Sequence, residues 1–347
     1  VDRETTFASS RKVSRERALA HFRLLAPDAD EELLDAKAYR TWPQYWYVWN
    51  GSYRPWCEAA GVVPMPCPPE QLLAYVKCLK GENKSTATIE AYVAAVATTL
   101  RLHGFRLDRT AIVEHMKSYR RKSGPQRRAR ALIGRELQAL VARLDPESAR
   151  DSRDASLFVL GFAMAGRASE VVGLDWMRSG GSAYGCTGVL SVEHRGYLVK
   201  LVTSKWRTTA VEIAIPFSEM PSLRVWLDRW IKHAQIQPGQ PVFRAIHRRG
   251  QVQAARLAPD AVSKILKPRM LGYARATGLS DKEAALLARQ YTSHSMKRGY
   301  CSSASEAGLS LGEIRRRSRH STDAVLARYI RDAESWRSAG LGEGVGF

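Results

Sequence analysis

Polar side chains in apolar or tightly spaced surroundings are the informative ones in this sequence, because burying them needs a reason. In the run Gly161-Phe162-Ala163-Met164-Ala165-Gly166-Arg167-Ala168-Ser169-Glu170, Arg167 follows an apolar helical stretch and Glu170 stands three residues later. Those two alone read equally well as a surface ion pair at i, i+3 spacing. Lys205 sits at the tip of a predicted strand hairpin. Ser293-His294-Ser295-Met296-Lys297-Arg298-Gly299 opens a helix, and Arg319-His320-Ser321-Thr322 precedes Ala327-Arg328-Tyr329-Ile330-Arg331. Each of these is weak alone, but a phenol, an arginine fork, two imidazoles and further cations are residue types that metal-free phosphodiester cleavage could use. It requires a nucleophile, cations for the charge on the non-bridging oxygens, and an acid for the leaving 5′-oxygen. Tyr329, with a free pKa of ~10, is largely neutral at pH 7, and would have to lose its proton to act as a nucleophile, which cationic surroundings favour.

The elements that must position these residues fall into two sets, as expected for 347 residues at ~150 per domain. Residues 1–35 are charged, with a short amphipathic stretch (Ala18, Phe22, Leu24, Leu25), and read as an N-terminal arm or short helix. Trp42, Tyr45, Trp46, Trp49, Tyr53 and Trp56 fall mostly on one helical face. They read as the aromatic core of a small helical domain ahead of a base-stacking platform, with Pro55 kinking or ending the helix near Tyr53. The segment from Pro64 to Pro69 is a rigid turn, and helical periodicity restarts at Glu70. Ser85 or Thr86 caps a further helix carrying Ile89, Tyr92, Val93, Val96 and Leu100, which Gly104 ends. These elements predict a helical domain over 36–120.

Between Lys117 and Arg130 lie seven basic residues and no acidic one, interrupted by Ser123-Gly124-Pro125. This predicts an interdomain linker over 121–131. It is either a strand crossing a phosphate backbone through Lys117, Arg120, Arg121, Lys122, Arg127, Arg128 and Arg130, or merely a solvated connection. From Ile133 a second set of helices begins. After Trp176 the period changes to two, over Gly188–Val192, Tyr197–Thr203 and Ala210–Pro216, with a turn at Lys205 to Thr208. Three short antiparallel strands within a helical domain over 132–338 are expected. Helices resume at Leu223 and Pro259, a last one runs near Thr322 to Ala333, and a Gly-rich tail covers 339–347.

Fifty-four Lys and Arg against thirty-four Asp and Glu give a net charge of +20, spread along the whole chain. That balance asks for a polyanion, nucleic acid ahead of an anionic membrane surface. The five cysteines are odd in number and lack C-x-x-C pairs, so buried free thiols are expected rather than a metal site or a disulfide framework. No run of ~18 uncharged apolar residues occurs and the opening residues lack a signal-peptide pattern, so no membrane role is expected and the protein should be intracellular.

Taken in order, the chemical residues resemble the catalytic series of the tyrosine recombinases, of the phage-integrase and Cre kind, with five elements recurring at the family's separations. Arg167 resembles the first arginine of the family's A-R-x-S-E box and Glu170 the acidic residue that braces it. Lys205 matches the lysine between the second and third strands, His294 starts the H-x-x-R box, and His320 stands where the family has His or Trp. Tyr329 lies nine residues beyond His320, at the place of the nucleophile. Two positions depart from the pattern. Lys297 stands where the family has its second arginine, with Arg298 one step of ~100° around the helix, and Arg319 replaces the glycine before His320. The similarity covers roughly residues 40 to 335.

What the resemblance implies is a mainly α fold with a small antiparallel β-sheet in the catalytic domain, arranged as a two-domain DNA clamp. The implied activity is a site-specific recombinase that cuts through a 3′-phosphotyrosyl intermediate, with Lys205 as general acid. It exchanges strands through a Holliday junction in a DNA-bound homotetramer and needs no metal, ATP or other cofactor. The implied partner is double-stranded DNA carrying a specific recombination site. The implied setting is the cytoplasm, with the gene carried by a bacterium, phage or mobile element. A type IB topoisomerase or telomere resolvase shares this chemistry. A DNA-binding relative weakened or silenced by Lys297 is the third reading.

Overall fold

The computed structural model describes residues 15–37, 39, 41–123, 129–178, 186–201, 211–320, 322, 326 and 327. The chain forms two compact units, Val1–Arg127 and Arg128–Phe347.

The first unit is helical because its apolar residues recur at three-to-four spacing. In α1 (Arg15–Leu25), Ala18, Phe22 and Leu25 are buried, which places this stretch in the core of the first unit. The aromatic stretch forms α2 (Thr41–Val48), and its rings pack edge to face inside the core, Phe22 against Trp42 at 4.8 Å and Tyr53 against Tyr75 at 5.2 Å. The helix does not end before Pro55. It widens into a π turn (Trp49–Tyr53) and resumes as α3 (Arg54–Ala59), so the hydrogen-bond ladder shifts just ahead of the residue that has no N–H to give. Then follow α4 (Pro69–Gly81), which has proline in its first turn, and α5 (Thr86–Leu102), where Ser85 Oγ accepts the Thr88 N–H. Gly104, at φ +81, ends that run as its missing Cβ allows. The last helix of the unit is α6 (Thr110–Lys122).

The second unit is built around α8 (Ala149–Ala163), buried from Ser152 to Ala163 and preceded by α7 (Gly134–Val141). Its buried charges are matched. Arg153 donates to Asp154 Oδ1 at 2.6 Å, and Arg269 reaches Asp154 at 2.7 Å and Asp151 at 2.5 Å. A short helix, α9 (Ala168–Val172), leads into the sheet. There β2 (Gly188–Glu193), β3 (Gly196–Leu201) and β4 (Val211–Pro216) pair antiparallel, in the register Leu190↔Val199↔Ile213. Leu190, Val199, Leu201, Ile213 and Ile215 face the core.

The sheet is larger than the sequence pattern suggests. β1 (Leu174–Trp176) adds a parallel edge beside β2, and a separate hairpin of β5 (Arg244–Ile246) and β6 (Val252–Arg256) lies between helices. Arg256 ties that hairpin down by donating to the Val172 and Leu174 carbonyls and pairing with Asp175. The remaining helices are α10 (Pro221–His233), α11 (Pro259–Ala276), α12 (Asp281–Arg289), α13 (Ser295–Glu306) and α14 (Leu311–Ser318). Beyond them, Leu326 and Ala327 are helical, and Leu326 is buried against Cys301, Ala304 and Ile314. Cys57, Cys67 and Cys301 are buried free thiols.

The chain enters the second unit by crossing α13 at one point. The Leu132 N–H donates to the Ser295 carbonyl, and a Cβ on Gly299 would collide with the Leu132 carbonyl. Backbone cannot swing aside as a side chain does. Gly299→Ala is expected to destabilise the second unit by more than the roughly 1–3 kcal/mol of ordinary overpacking. Thermal unfolding measures this, and an unchanged midpoint would show that the crossing relaxes freely.

Candidate active site

Arg167 is the N-cap residue of α9, and Glu170, at the third helical position, accepts the Arg167 N–H at 2.8 Å. The same carboxylate takes Arg167 Nη1 at 2.7 Å. The i, i+3 spacing thus serves the backbone cap and the ion pair together. Glu170 is 17% exposed and Arg167 49%, so the carboxylate sits inside while the guanidinium faces outward.

Lys297 and Arg298 lie in the first turn of α13, and His294 is its N-cap. Lys297 is buried, and its Nζ donates to the Ser318 carbonyl at 2.5 Å. Ser318 Oγ in turn meets His320 Nδ1 at 2.8 Å. His320 therefore hangs from the end of α14, braced from below by α13.

The electrostatics show that these groups share one site. Burial and then the Arg167 charge lower the Lys297 ammonium to about 8, against the pull of Glu170. Burial, then Lys297, Arg167 and Arg319, lower the His320 imidazole to about 4. His294 also lies below its ordinary value, through burial first, then Lys297, Arg167 and, least, Arg298. Burial pushes the Glu170 carboxyl up, but the Arg319 charge and the hydrogen bonds of Arg167 and Arg319 outweigh it and hold it below its usual range.

The structure thus gathers Arg167, Glu170, His294, Lys297 and His320, which the sequence spreads over more than 150 positions. Both imidazoles are neutral at pH 7 and ready to donate or accept a proton, beside cations that outnumber the one carboxylate. Such a cluster can stabilise a tetrahedral anion. Lys205 and Tyr329 lie outside the described residues.

One member was not singled out by the sequence reading as a site residue. Arg319 caps α14 in the left-handed conformation at φ +55, and its guanidinium, 6% exposed, pairs with Glu170 Oε2 at 2.6 Å. The available signal is an arginine at a helix C-cap where glycine is the usual choice.

The basic segment is less uniform than its composition. Lys117 pairs with Glu114 at 2.6 Å, Arg120 with Glu90 at 2.5 Å, and Arg130 with Glu136 at 2.9 Å while lying over the Tyr291 ring. Arg121 and Lys122 are exposed at the C-terminal end of α6, where their charge complements the helix dipole. Arg127 and Arg128 lie outside the described residues.

Fold and sequence liken the chain to the tyrosine recombinases, a class of enzymes that breaks and rejoins DNA. It is 27% identical over 328 residues to an integrase/recombinase described as a xerD homolog from Selenomonas ruminantium, covering 91% of this chain and 89% of that one. Its fold matches that of the XerH site-specific recombinase, solved bound to difH substrate in a pre-cleavage complex. The TM-score is 0.56 at 11% identity, over 97% of this chain and 92% of that one. It also matches lambda integrase, solved as a dimer bound to a COC′ core site, with a TM-score of 0.51 at 15% identity over 93% and 95% of the two chains. No family model matches the chain.

A buried ammonium that gives up its proton near pH 8, against ~10.4 when unfolded, makes a prediction with a definite sign. Between those values the unfolded chain binds more protons than the folded one, so this group's contribution to stability rises with pH across about 8 to 10.4. Lys297→Met removes the titration. The native chain is therefore expected to gain stability relative to that variant as pH climbs through the window, read from urea midpoints. Parallel curves would show that Lys297 titrates as an ordinary lysine.

Proposed function

We propose that this chain is a site-specific DNA recombinase that cuts each strand through a 3′-phosphotyrosyl bond to Tyr329. Exchange then runs through a Holliday junction within a DNA-bound homotetramer. The observation that carries the reading is the convergence of Arg167, Lys297, His294 and His320 in one electrostatic cluster, with the half-buried Glu170 pairing Arg167. Metal-free transesterification needs such a cationic pocket, and a protein that merely binds DNA has no use for two neutral imidazoles inside one.

In this mechanism the half-exposed Arg167 fork holds two oxygens of the scissile phosphate. Lys297 adds charge from below, and its proton affinity rises once the phosphate anion enters. His294 and His320 donate to the same oxygens or accept the phenolic proton. The Tyr329 oxygen attacks phosphorus, the P–O5′ bond breaks, and Lys205 protonates the leaving 5′-oxygen. The phosphotyrosyl bond conserves the energy of the broken linkage, so a 5′-hydroxyl from another strand reverses the step without ATP. The DNA complexes of XerH and lambda integrase support a double-stranded DNA partner, and the bacterial relative supports a role on the genome in the cytoplasm.

Tyr329→Phe is expected to abolish covalent capture of nicked duplex DNA while leaving binding within a few-fold, because only the hydroxyl is lost. A phosphotyrosyl adduct that persists in this variant removes Tyr329 as nucleophile.

The exposed Arg121 and Lys122, together with Arg127 and Arg128, are proposed to neutralise phosphates. Each contact removed by alanine should lower the slope of log affinity against log salt by ~0.9. Arg130 is already engaged with Glu136 and should contribute less. A slope unchanged on replacing Arg121 and Lys122 would place this end of α6 away from DNA.

A further inference from the structure

We propose that Arg319 is a positioning residue, which sets Arg167 and His320 as one unit and keeps the Arg167 fork turned toward substrate. This inference rests on the recombinase reading above.

Four features carry it. First, Arg319 holds a left-handed backbone conformation that glycine adopts freely and an arginine tolerates only when other contacts compensate. Second, its guanidinium is spent inside the protein. Nη1 donates to the Met164 carbonyl at 3.1 Å and to the Arg317 carbonyl at 2.8 Å, while Nη2 pairs with Glu170 Oε2 at 2.6 Å. It therefore has little left to offer a phosphate.

Third, the Met164 carbonyl is the C-cap of α8, and the Ala165 carbonyl, which Nη2 meets at 3.5 Å, follows it at a helix end where backbone acceptors lack helical partners. Arg317 donates to the Ala163 carbonyl at 2.8 Å from the same turn of α14, so two arginines close that helix end at Ala163, Met164 and Ala165, two to four residues before Arg167. The end itself is tight, with Ala165 at φ +45. Fourth, Glu170 is shared. Oε2 takes the Arg167 N–H and Arg319, while Oε1 takes Arg167 Nη1.

With Arg319 in place, Glu170 holds Arg167 by one nitrogen and leaves its other donors outward. Without it, the carboxylate faces Arg167 and Lys297 alone and draws the Arg167 fork inward. His320 is the next residue after Arg319, so a single side chain fixes the turn that carries one phosphate-facing group and the loop that carries the other.

Arg319→Gly separates this role from plain support of the fold, because glycine suits the backbone there while the ion pair is lost. The probe is a pool of nicked duplexes tiling the DNA on either side of the chain's own coding sequence. The readouts are the first-order rate of covalent capture, its pH profile, DNA affinity and thermal midpoint. The expected result is a ~10–100-fold slower capture, as for a catalytic group displaced by about an ångström. Affinity should stay within a few-fold and the midpoint should hold.

The acid limb of the profile should also move to higher pH. Glu170 would be left facing Arg167 and Lys297, and His320 would be left facing Lys297 and Arg167, so both groups gain protons more readily. Arg319→Lys, which keeps the charge and loses the fork, should restore the acid limb and part of the rate. Native-rate capture by Arg319→Gly with an unshifted acid limb overturns the inference. So does a joint loss of capture, affinity and thermal midpoint in both variants, which marks Arg319 as structural only. No adduct from the native chain on any duplex overturns the recombinase reading and this inference with it.

Discussion

The candidate site depends on one half-buried carboxylate. Glu170 takes the backbone N–H of Arg167, one nitrogen of its side chain and one nitrogen of Arg319, all through two oxygens. A carboxylate with 17% exposure is stable as an anion only when its lone pairs are met in this way. Without Arg319 that charge keeps Arg167 and Lys297 beside it, and without Arg167 it keeps Arg319 and Lys297. The arrangement therefore joins three things that chain distance keeps apart: the cap of α9, the exit from α8, and the turn carrying His320.

Around that anion the cations are in excess, and this excess tunes the site. Lys297, Arg167 and Arg319 lower one another's neighbours, so His320 and His294 stay neutral and Lys297 loses its proton near pH 8. Free of DNA, the cluster is under electrostatic tension. A phosphodiester anion would supply the missing charge and raise the proton affinity of each group as it enters. On the proposed mechanism the strongest binding would be to the state with most charge on the non-bridging oxygens, the pentavalent transition state rather than the diester. The overall charge of +20 acts at longer range and would favour approach of a polyanion.

Much of this was legible in the sequence. The period of two over Val211, Ile213 and Ile215 marks β4 because alternate residues meet the core, and the spacing of Leu137, Leu140 and Val141 marks α7 for the matching reason. The order Arg167, Glu170, His294, His320 stood out only as a series resembling that of the tyrosine recombinases, each residue being weak alone. Other elements left no such trace. β1 has three residues, too few to show a period, and β5 and β6 carry arginines and glutamines whose pairing with Asp175 and Gln240 exists only after folding. The π turn at Trp49 to Tyr53 looks like ordinary helix until the ladder is traced. Arg319 hides for the same reason. Its partner Glu170 is 149 residues away, and locally the residue is only an unlikely helix cap.

The account stands on the claim that this chemistry joins strands from different places rather than merely relaxing one duplex. The direct measurement is a joining assay on a supercoiled plasmid carrying two copies of the native flanking DNA, with purified chain, no nucleotide triphosphate and no divalent metal. The account predicts two smaller circles, each carrying one hybrid site, formed without any change in the DNA sequence. A ladder of relaxed topoisomers with the plasmid otherwise intact would contradict it.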